Sequence, residues 1–441
     1  MPRFSILTPL YAKANPFVLE TYRTLQRQSV ADWEWIVLLN NDGCLPAEAL
    51  QDPRVKPVGP VLVPEKQGIG FLKHAAASYA EGEHLVELDA DDLLDDECLG
   101  HLGRAFEGGA DFVYSDFAEF HHETWTPAWY AADFGWQQYG VIRDGHPLIA
   151  MRAPEATAQN MRSVMWAPNH VRAWRTSVYR ELGGHDPKLA VADDQDLMLR
   201  LYLAGRSIVH VPRCLYFYRV HPQNTTKSSN AEIQRVEAGV YQRYRMRLAE
   251  TWARRAGLRC VDLCGGINPY PGFDVLDAVG RDDWAQLGTL EGNLRGEQPL
   301  NLRCDLNGPW PLPDNSVGVL RASDALEHLR DPVHVMNEAY RVLAPGGWLM
   351  THTPSTDGRG AFCDPTHVSF WNELSFRYYT DQAFARFVPR FVGRFHEARN
   401  VSTFFPDDWH RDNKLAYVQA DLIALKPGYC PLGPVRWPSR L

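Results

Sequence analysis

The segment His84-Leu-Val-Glu-Leu-Asp89-Ala-Asp91-Asp92 runs from an apolar stretch into a crowd of carboxylates. Nine acids and no Lys or Arg lie between Glu81 and Glu97. Like charges at that density are costly unless something cationic sits among them. A strand over Leu85 to Leu88 leaves Asp89 and Asp91 at its carboxyl end, two residues apart and able to reach one spot. Hard divalent ions take such oxygen ligands, with waters and substrate phosphates completing the shell. The carboxyl edge of an open α/β sheet is also where ligands bind. Asp95, Asp96 and Glu97 have a plainer use, as first-turn acids of a helix expected over Asp95 to Phe106, where the helix dipole favours them.

Toward the N-terminus, the apolar runs Phe4 to Thr8 and Trp35 to Leu39 read as buried strands flanking a helix from about Pro16 to Gln28. Gly68 to Ala80 reads as another helix. This alternation predicts an α/β unit. Toward the C-terminus, Val191-Ala-Asp193-Asp194-Gln-Asp196-Leu-Met-Leu-Arg200 predicts a helix with a charged N-terminus. A carboxylate there can act as a general base on an acceptor hydroxyl within hydrogen-bond reach; N-capping accounts equally well for one of these acids. Between Phe117 and Val141, the aromatics Trp125, Trp129, Tyr130, Phe134, Trp136 and Tyr139 sit among acids and His. They predict either an acceptor lid, because aromatic faces suit sugar rings, or a local core under a long loop.

In their order, these pieces resemble a family 2 glycosyltransferase with the GT-A nucleotide-sugar fold over residues 1 to 225. The matching pieces are Ser5-Ile-Leu-Thr-Pro-Leu-Tyr11, Leu39-Asn-Asn-Asp42-Gly43, Gly68-Ile-Gly-Phe-Leu-Lys73-His-Ala and Asp89-Ala-Asp91-Asp92. Leu182-Gly-Gly-His-Asp186 ahead of Asp193-Asp194 follows, then Leu215-Tyr-Phe-Tyr-Arg-Val-His221. The resemblance implies that Thr8 and Asp42 help hold the nucleotide base and ribose, and that Lys73 lies near the phosphates. It implies that Asp89 and Asp91 form the D-x-D pair for ribose and a divalent metal, Mn or Mg, which His221 approaches. Asp194 becomes the catalytic base of a single, inverting displacement. One departure is Leu39-Asn-Asn-Asp-Gly, where the family more often has two Asp before Gly.

From Ala231 to Arg259 the pattern turns continuously helical and cationic, with seven Arg against three Glu. It predicts either a solvated linking helix or a surface for acidic headgroups or a polyanionic acceptor. Beyond it, Arg259-Cys-Val-Asp262-Leu-Cys264-Gly265-Gly266 leads through Pro271-Gly272 to a strand ending in Asp277. Glycines let the backbone approach a ligand, and an acid at the next strand's end can hold ribose hydroxyls. Arg303-Cys-Asp305, Pro311-Leu-Pro-Asp-Asn-Ser316, Ala322-Ser-Asp-Ala-Leu-Glu327-His328 and Arg341-Val-Leu-Ala-Pro-Gly-Gly347 continue the pattern. This run resembles class I S-adenosylmethionine-dependent methyltransferases, with a Rossmann-like fold, over about residues 258 to 427. The resemblance implies Gly265 and Gly266 under the methionine part of S-adenosyl-L-methionine, Asp277 on the ribose and Asp305 on the adenine amino group. Cys264 stands where the family usually has its first glycine, and Gly318 replaces a common Asp. Methylating a sugar hydroxyl needs a base, for which His328, Asp364 and His367 are the candidates.

With 441 residues, about three domains are the starting expectation. The motifs divide the chain instead into a glycosyltransferase domain (1–225), a cationic linker helix (226–258), a methyltransferase-like domain (259–427) and an irregular tail (428–441). Lys and Arg number 45 against 54 Asp and Glu, a net charge of −9, which argues against a nucleic-acid binder. Apolar stretches such as Trp35 to Leu39 fall far short of the roughly 20 residues of a transmembrane segment. Met1 to Leu10 shows no signal-peptide core, and eight scattered Cys point to reduced thiols in the cytoplasm. The combined expectation is a bifunctional enzyme of polysaccharide or glycoconjugate biosynthesis. One domain transfers a sugar from a nucleotide-sugar donor to a glycan or lipid-linked glycan acceptor, and the other methylates a related glycan. The linker offers peripheral contact with the inner face of a membrane. The rival is a single-activity glycosyltransferase with a non-catalytic methyltransferase-like binding or interaction domain, which Cys264 favours.

Overall fold

Runs that bury both faces become central parallel strands. Phe4–Tyr11 and Trp33–Asn40 do so, pairing from Phe4 opposite Trp33 to Tyr11 opposite Asn40. The computed structural model describes residues 2–61, 68–128, 137–162, 170–224, 230–266, 269–279, 301–398, 401–431 and 436–437. The chain divides into two compact units, Met1–Tyr244 and Arg245–Leu441.

The sheet of the first unit runs Val55–Val61, Trp33–Asn40, Phe4–Tyr11, His84–Glu87, Arg172–Arg175, Phe112–His121, Ile208–Val220, Leu93–Leu94. The first four strands are parallel, and Arg172–Arg175 enters antiparallel beside His84–Glu87. Chain order reverses at Phe4–Tyr11, whose two neighbours lead away in opposite directions. A crevice at the carboxyl ends follows from that reversal. Helices Val18–Gln26 and Ile69–Ser78 occupy the expected stretches. The helix expected from Asp95 begins later, at Cys98, and has no acid in its first turn. Asp95 instead closes the preceding turn, accepting from Glu97 N at 3.0 Å while its own N–H bonds Leu215 O.

Trp125 stacks on Phe120 at 4.5 Å and on His146 at 4.7 Å, and Tyr139 donates to Asp116 at 2.8 Å. Trp125 serves a local core beside the hairpin Gln138–Arg143 and His146–Met151, while Tyr139 stays exposed. Trp129, Tyr130, Phe134 and Trp136 lie outside the described residues.

In the second unit the order is Asn301–Arg303, Asp274–Asp277, Arg259–Leu263, Val317–Ser323, Leu343–Pro354, Tyr417–Ala424, Phe395–Glu397. The first five strands are parallel and Tyr417–Ala424 runs antiparallel to them. Chain order reverses again, at Arg259–Leu263. This is the mixed α/β architecture expected of a Rossmann-like domain.

The cationic segment forms the helix Asn230–Arg255. Within the first unit, Tyr244 donates to Asp196 at 2.9 Å and Arg243 pairs with the same carboxylate. Within the second, Leu248, Ala249 and Ala253 are fully buried, Arg245 pairs with Asp421, and Arg259 pairs with Asp274. Asp196, Asp274 and Asp421 lie outside the segment, so they offset three of its four excess positive charges. Arg235, Arg243 and Arg254 nevertheless stay more than half exposed. Gly318 is explained by the same helix: a Cβ there would meet Ala253 Cβ at 2.4 Å. No helix among the described residues is long and apolar enough to cross a membrane.

Candidate functional site

The first unit holds a cavity of ≈ 400 Å³ at the carboxyl edge of its sheet, lined by Tyr11, Lys73, Asp89, Asp91, Arg172 and Asp194 among others. The turn after His84–Glu87 brings in Asp89 and Asp91. Arg219 anchors that turn from below, fully buried, with its Nε on Asp91 O at 2.6 Å and its N–H on Asp92 Oδ1 at 2.7 Å. Asp92 faces away from the cavity and accepts from Tyr216 OH at 2.7 Å. Burial and the charges of Asp91 and Asp89 raise its pKa well above the usual carboxylate range. Burial, with Asp91 close by, likewise pushes Asp89 up to about 6 against the pull of Lys73.

His221 Nε2 lies 2.8 Å from Asp91 Oδ2. Because Nδ1 accepts from Gln223 N at 3.3 Å, Nε2 carries the proton and donates it to Asp91. Two carboxylates meeting at a strand edge, with repulsion already raising one pKa, are a donor set suited to a hard divalent cation. In this tautomer His221 orients Asp91, as an outer partner orients a ligand.

The acidic helix opens at Asp193 after Ala192, which holds a left-handed φ of 59°. Its two leading acids diverge. Asp193 is buried, 3.9 Å from Lys73 Nζ and 3.6 Å from His185 Nε2. Asp194 is more open and accepts from Arg172 at 2.7 Å and from Gln195 N at 2.8 Å. Burial alone would raise the pKa of Asp194, but the charges of Arg172 and Lys73 outweigh it and hold the carboxyl below its usual range. Glycine makes this placement possible: a Cβ on Gly70 would meet Asp186 O at 2.6 Å, Leu189 O at 2.7 Å and Asp193 Cβ at 2.9 Å.

One expectation needs correction. Thr8 lies within the strand Phe4–Tyr11 and is fully buried, its hydroxyl donating to Leu88 O at 2.7 Å and accepting from Trp35 Nε1 at 2.8 Å. A buried indole N–H requires an acceptor, and Thr8 supplies it instead of facing the nucleotide. Lys73 lines the cavity but is only 5% exposed and is paired with Glu87 at 2.8 Å. Burial disfavours its charge, yet Glu87 and Asp193 overcome this and raise its pKa. Asp42 is exposed beyond its strand end and is not among the lining residues.

Sequence reasoning assigned no role to Arg172, Glu87 or Arg219. Glu87 joins Lys73, Arg172 Nε at 3.2 Å and Trp174 Nε1 at 2.8 Å beneath the cavity floor. The available signal was charge inside otherwise apolar strands.

The second unit holds a cavity of ≈ 490 Å³, within the usual range for small-molecule sites. The ends of four parallel strands contribute: Gly265 and Gly266, Asp277, Asp305, and Ser323 with Asp324. Asp277 accepts from Gly266 N and Val279 N, each at 3.0 Å. A carboxylate has about four lone-pair sites, so two remain for hydroxyl donors. A Cβ on Gly265 would stand 3.1 Å from Val275 Cγ1, and Gly266 has a φ of 49°. Cys264 adopts a φ of 52°, a left-handed conformation that suits the glycine usual there. Beneath the glycines, buried Asp262 takes Arg321 at 2.7 Å and Tyr270 N at 2.8 Å. Asp305 is exposed at the cavity wall, where two hydrogen bonds from Asn307 lower its pKa. Chamber size, bare glycine backbone and hydroxyl-accepting acid fit a nucleoside-bearing cofactor.

His328 lines this cavity. His367 stands beside it, ring centroids 5.1 Å apart, and Thr366 links His328 to Asp364 through contacts of 3.1 and 2.6 Å. The three candidates thus form one cluster, with buried Glu327 as a neighbour that sequence reasoning passed over.

Residues 5–151 match the family model described as glycosyl transferase family 2, so the first unit carries a glycosyltransferase domain. Residues 284–351 match the model described as methyltransferase domain, so the second unit carries a methyltransferase domain. The O-antigen biosynthesis protein RfbC of Myxococcus xanthus is 24% identical over 49% of this chain and 16% of its own. A probable S-adenosylmethionine-dependent methyltransferase of Mycolicibacterium smegmatis is 39% identical over 17% of this chain and 32% of its own. TarS residues 1–349 of S. aureus, solved in complex with UDP-GlcNAc, aligns over 58% of this chain and 73% of its own at 19% identity, with a TM-score of 0.39. The chain spans between 16% and 61% of the length of the curated relatives it matches.

Proposed function

We propose that the chain is a bifunctional enzyme of polysaccharide or glycoconjugate biosynthesis. Its first unit transfers a sugar from a nucleotide-sugar donor to a glycan or lipid-linked glycan acceptor, in the cytoplasm or at the inner face of a membrane. Its second unit methylates a related glycan. The observation that carries the first half is the convergence of Asp89, Asp91 and Asp194 on one cavity at the sheet's order reversal.

Asp89 and Asp91 would hold a divalent ion, Mn or Mg, with His221 fixing Asp91. The ion supplies Lewis acidity to the departing diphosphate. Asp42 at the same sheet edge is left for the base and ribose. Asp194 faces the acceptor side and takes the proton of the attacking hydroxyl. Held ionised by Arg172, it is a weak base, so it acts late, when the oxygen is already bonding to the sugar carbon. One displacement inverts the anomeric centre without an enzyme nucleophile.

In the second unit, Gly265, Gly266, Asp277 and Asp305 would hold S-adenosyl-L-methionine, which supplies an electrophilic methyl group. His328, Asp364 and His367 would orient and deprotonate an acceptor hydroxyl; His328 lining the cavity supports this reading. A screen of nucleotide sugars with Mn²⁺ or Mg²⁺ tests the proposal. One donor should be hydrolysed or transferred, and Asp91→Asn should lower the rate at least 100-fold. Unchanged transfer by Asp91→Asn overturns the metal assignment.

A further inference from the structure

Glu327, His328 and His367 each offer one ligand atom, and these atoms lie within 4.8 Å of one another. The orientation of both imidazoles is decided by oxygens that accept: Thr366 Oγ1, 3.1 Å from His328 Nδ1, gives its own proton to Asp364. His328 Nδ1 lies 3.3 Å from Thr366 O, and His367 Nδ1 lies 3.0 Å from Ala361 O. A carbonyl requires a donor, so both Nδ1 atoms carry the proton and both Nε2 atoms keep a lone pair. Metal-binding histidines are held in this way, with the second nitrogen donating to a carbonyl behind the ring. Among the described residues neither Nε2 has a hydrogen-bond acceptor or donor; His367 Nε2 comes no nearer than 4.0 Å to Asp364 Oδ2.

Glu327 supplies the second, independent observation. It is 2% exposed and forms no ion pair with Lys or Arg among the described residues; Thr353 donates to its Oε2 at 2.6 Å. A buried carboxylate without a cation is costly, and Asp324 adds a second negative charge near it. A cation at the centre of a triangle with 4.8 Å sides sits about 2.8 Å from each corner. Rotations moving each ligand atom by about 0.7 Å would close this to a bonding distance of roughly 2.1 Å.

We infer that Glu327, His328 and His367 form a second divalent-cation site, at the rim of the cofactor cavity. Two imidazole nitrogens and one carboxylate favour zinc, cobalt or nickel over magnesium, which sets this centre apart from the all-carboxylate pair Asp89 and Asp91. Three protein ligands leave open positions for adjacent hydroxyls of a sugar, since His328 faces the cavity. That use rests on the methyltransferase reading, whereas the cation site does not.

Cobalt(II) titration of the full-length Asp91→Asn protein tests the inference, because visible d–d bands report nitrogen and oxygen ligands while a thiolate shows a near-ultraviolet charge-transfer band. One equivalent should bind with d–d bands and no thiolate band. Adding His367→Asn or Glu327→Gln should weaken binding at least tenfold, with the circular dichroism spectrum retained. Binding that neither substitution changes, binding with a thiolate band, or no binding at millimolar cobalt overturns the site. S-adenosylmethionine binding is measured on the same protein: cobalt bound without the cofactor preserves the site and removes the methyltransferase reading.

Discussion

At the scale of single residues, the two leading acids of the helix Asp193–Leu203 separate by environment. Asp193 is drawn into a buried cluster with Lys73 and His185, while Asp194 stays at the cavity under Arg172. Asp194→Asn keeps the shape and removes the proton acceptor. Initial-rate kinetics with the identified donor should show kcat lower by about 10²–10⁴-fold with little change in donor affinity. Asp89 carries the opposite strain, its pKa lifted by burial to about 6. A raised folded-state value stabilises the protein fully below the unfolded value near 3.8 and loses that contribution as pH rises through about 6. At pH 7 the ion-free protein therefore bears an uncompensated charge, and Asp89→Asn should raise its Tm by about 1–3 °C. The same substitution should abolish the Tm increase produced by Mn²⁺ in a melting assay. Acids at a strand end or in a helix's first turn are conspicuous in sequence, so Asp89, Asp91 and Asp194 could be singled out as residues that meet at one cavity. Arg172 and Arg219 were not, because their partners Glu87 and Asp91 lie 85 and 128 residues away and nothing local announces the pairing. Thr8 misled for a related reason: whether a strand hydroxyl points outward depends on a distant indole.

At the scale of elements, strands and helices followed their apolar patterns closely, whereas boundaries and surfaces did not. The helix Cys98–Glu107 starts late because Asp95 is used in a turn. The cationic helix Asn230–Arg255 looked solvated because its partners Asp196 and Asp421 are remote in sequence. Its packing also makes a testable demand on Gly318, since Ala253 leaves no room for a methyl group. Gly318→Ala should destabilise the second unit by about 1–3 kcal/mol, read as an earlier transition in calorimetry. A Tm unchanged within error would mean that helix and strand separate without cost.

At the scale of the whole molecule, two compact units each bear a cavity, so ligand effects should be separable. S-adenosylmethionine should raise the Tm of one transition only, and Asp277→Ala should cancel that shift while leaving sugar transfer within twofold of the parent. Loss of both responses together would contradict independent sites. Both cavities arise from one topological event, the reversal of chain order beside the first strand of each sheet. Strands there act as scaffold, and the loops leaving them carry the chemistry. Selection can therefore change what each cavity accepts by exchanging loop residues. Neither change need disturb a buried strand, so a lineage can diversify its ligands while keeping the same two frameworks.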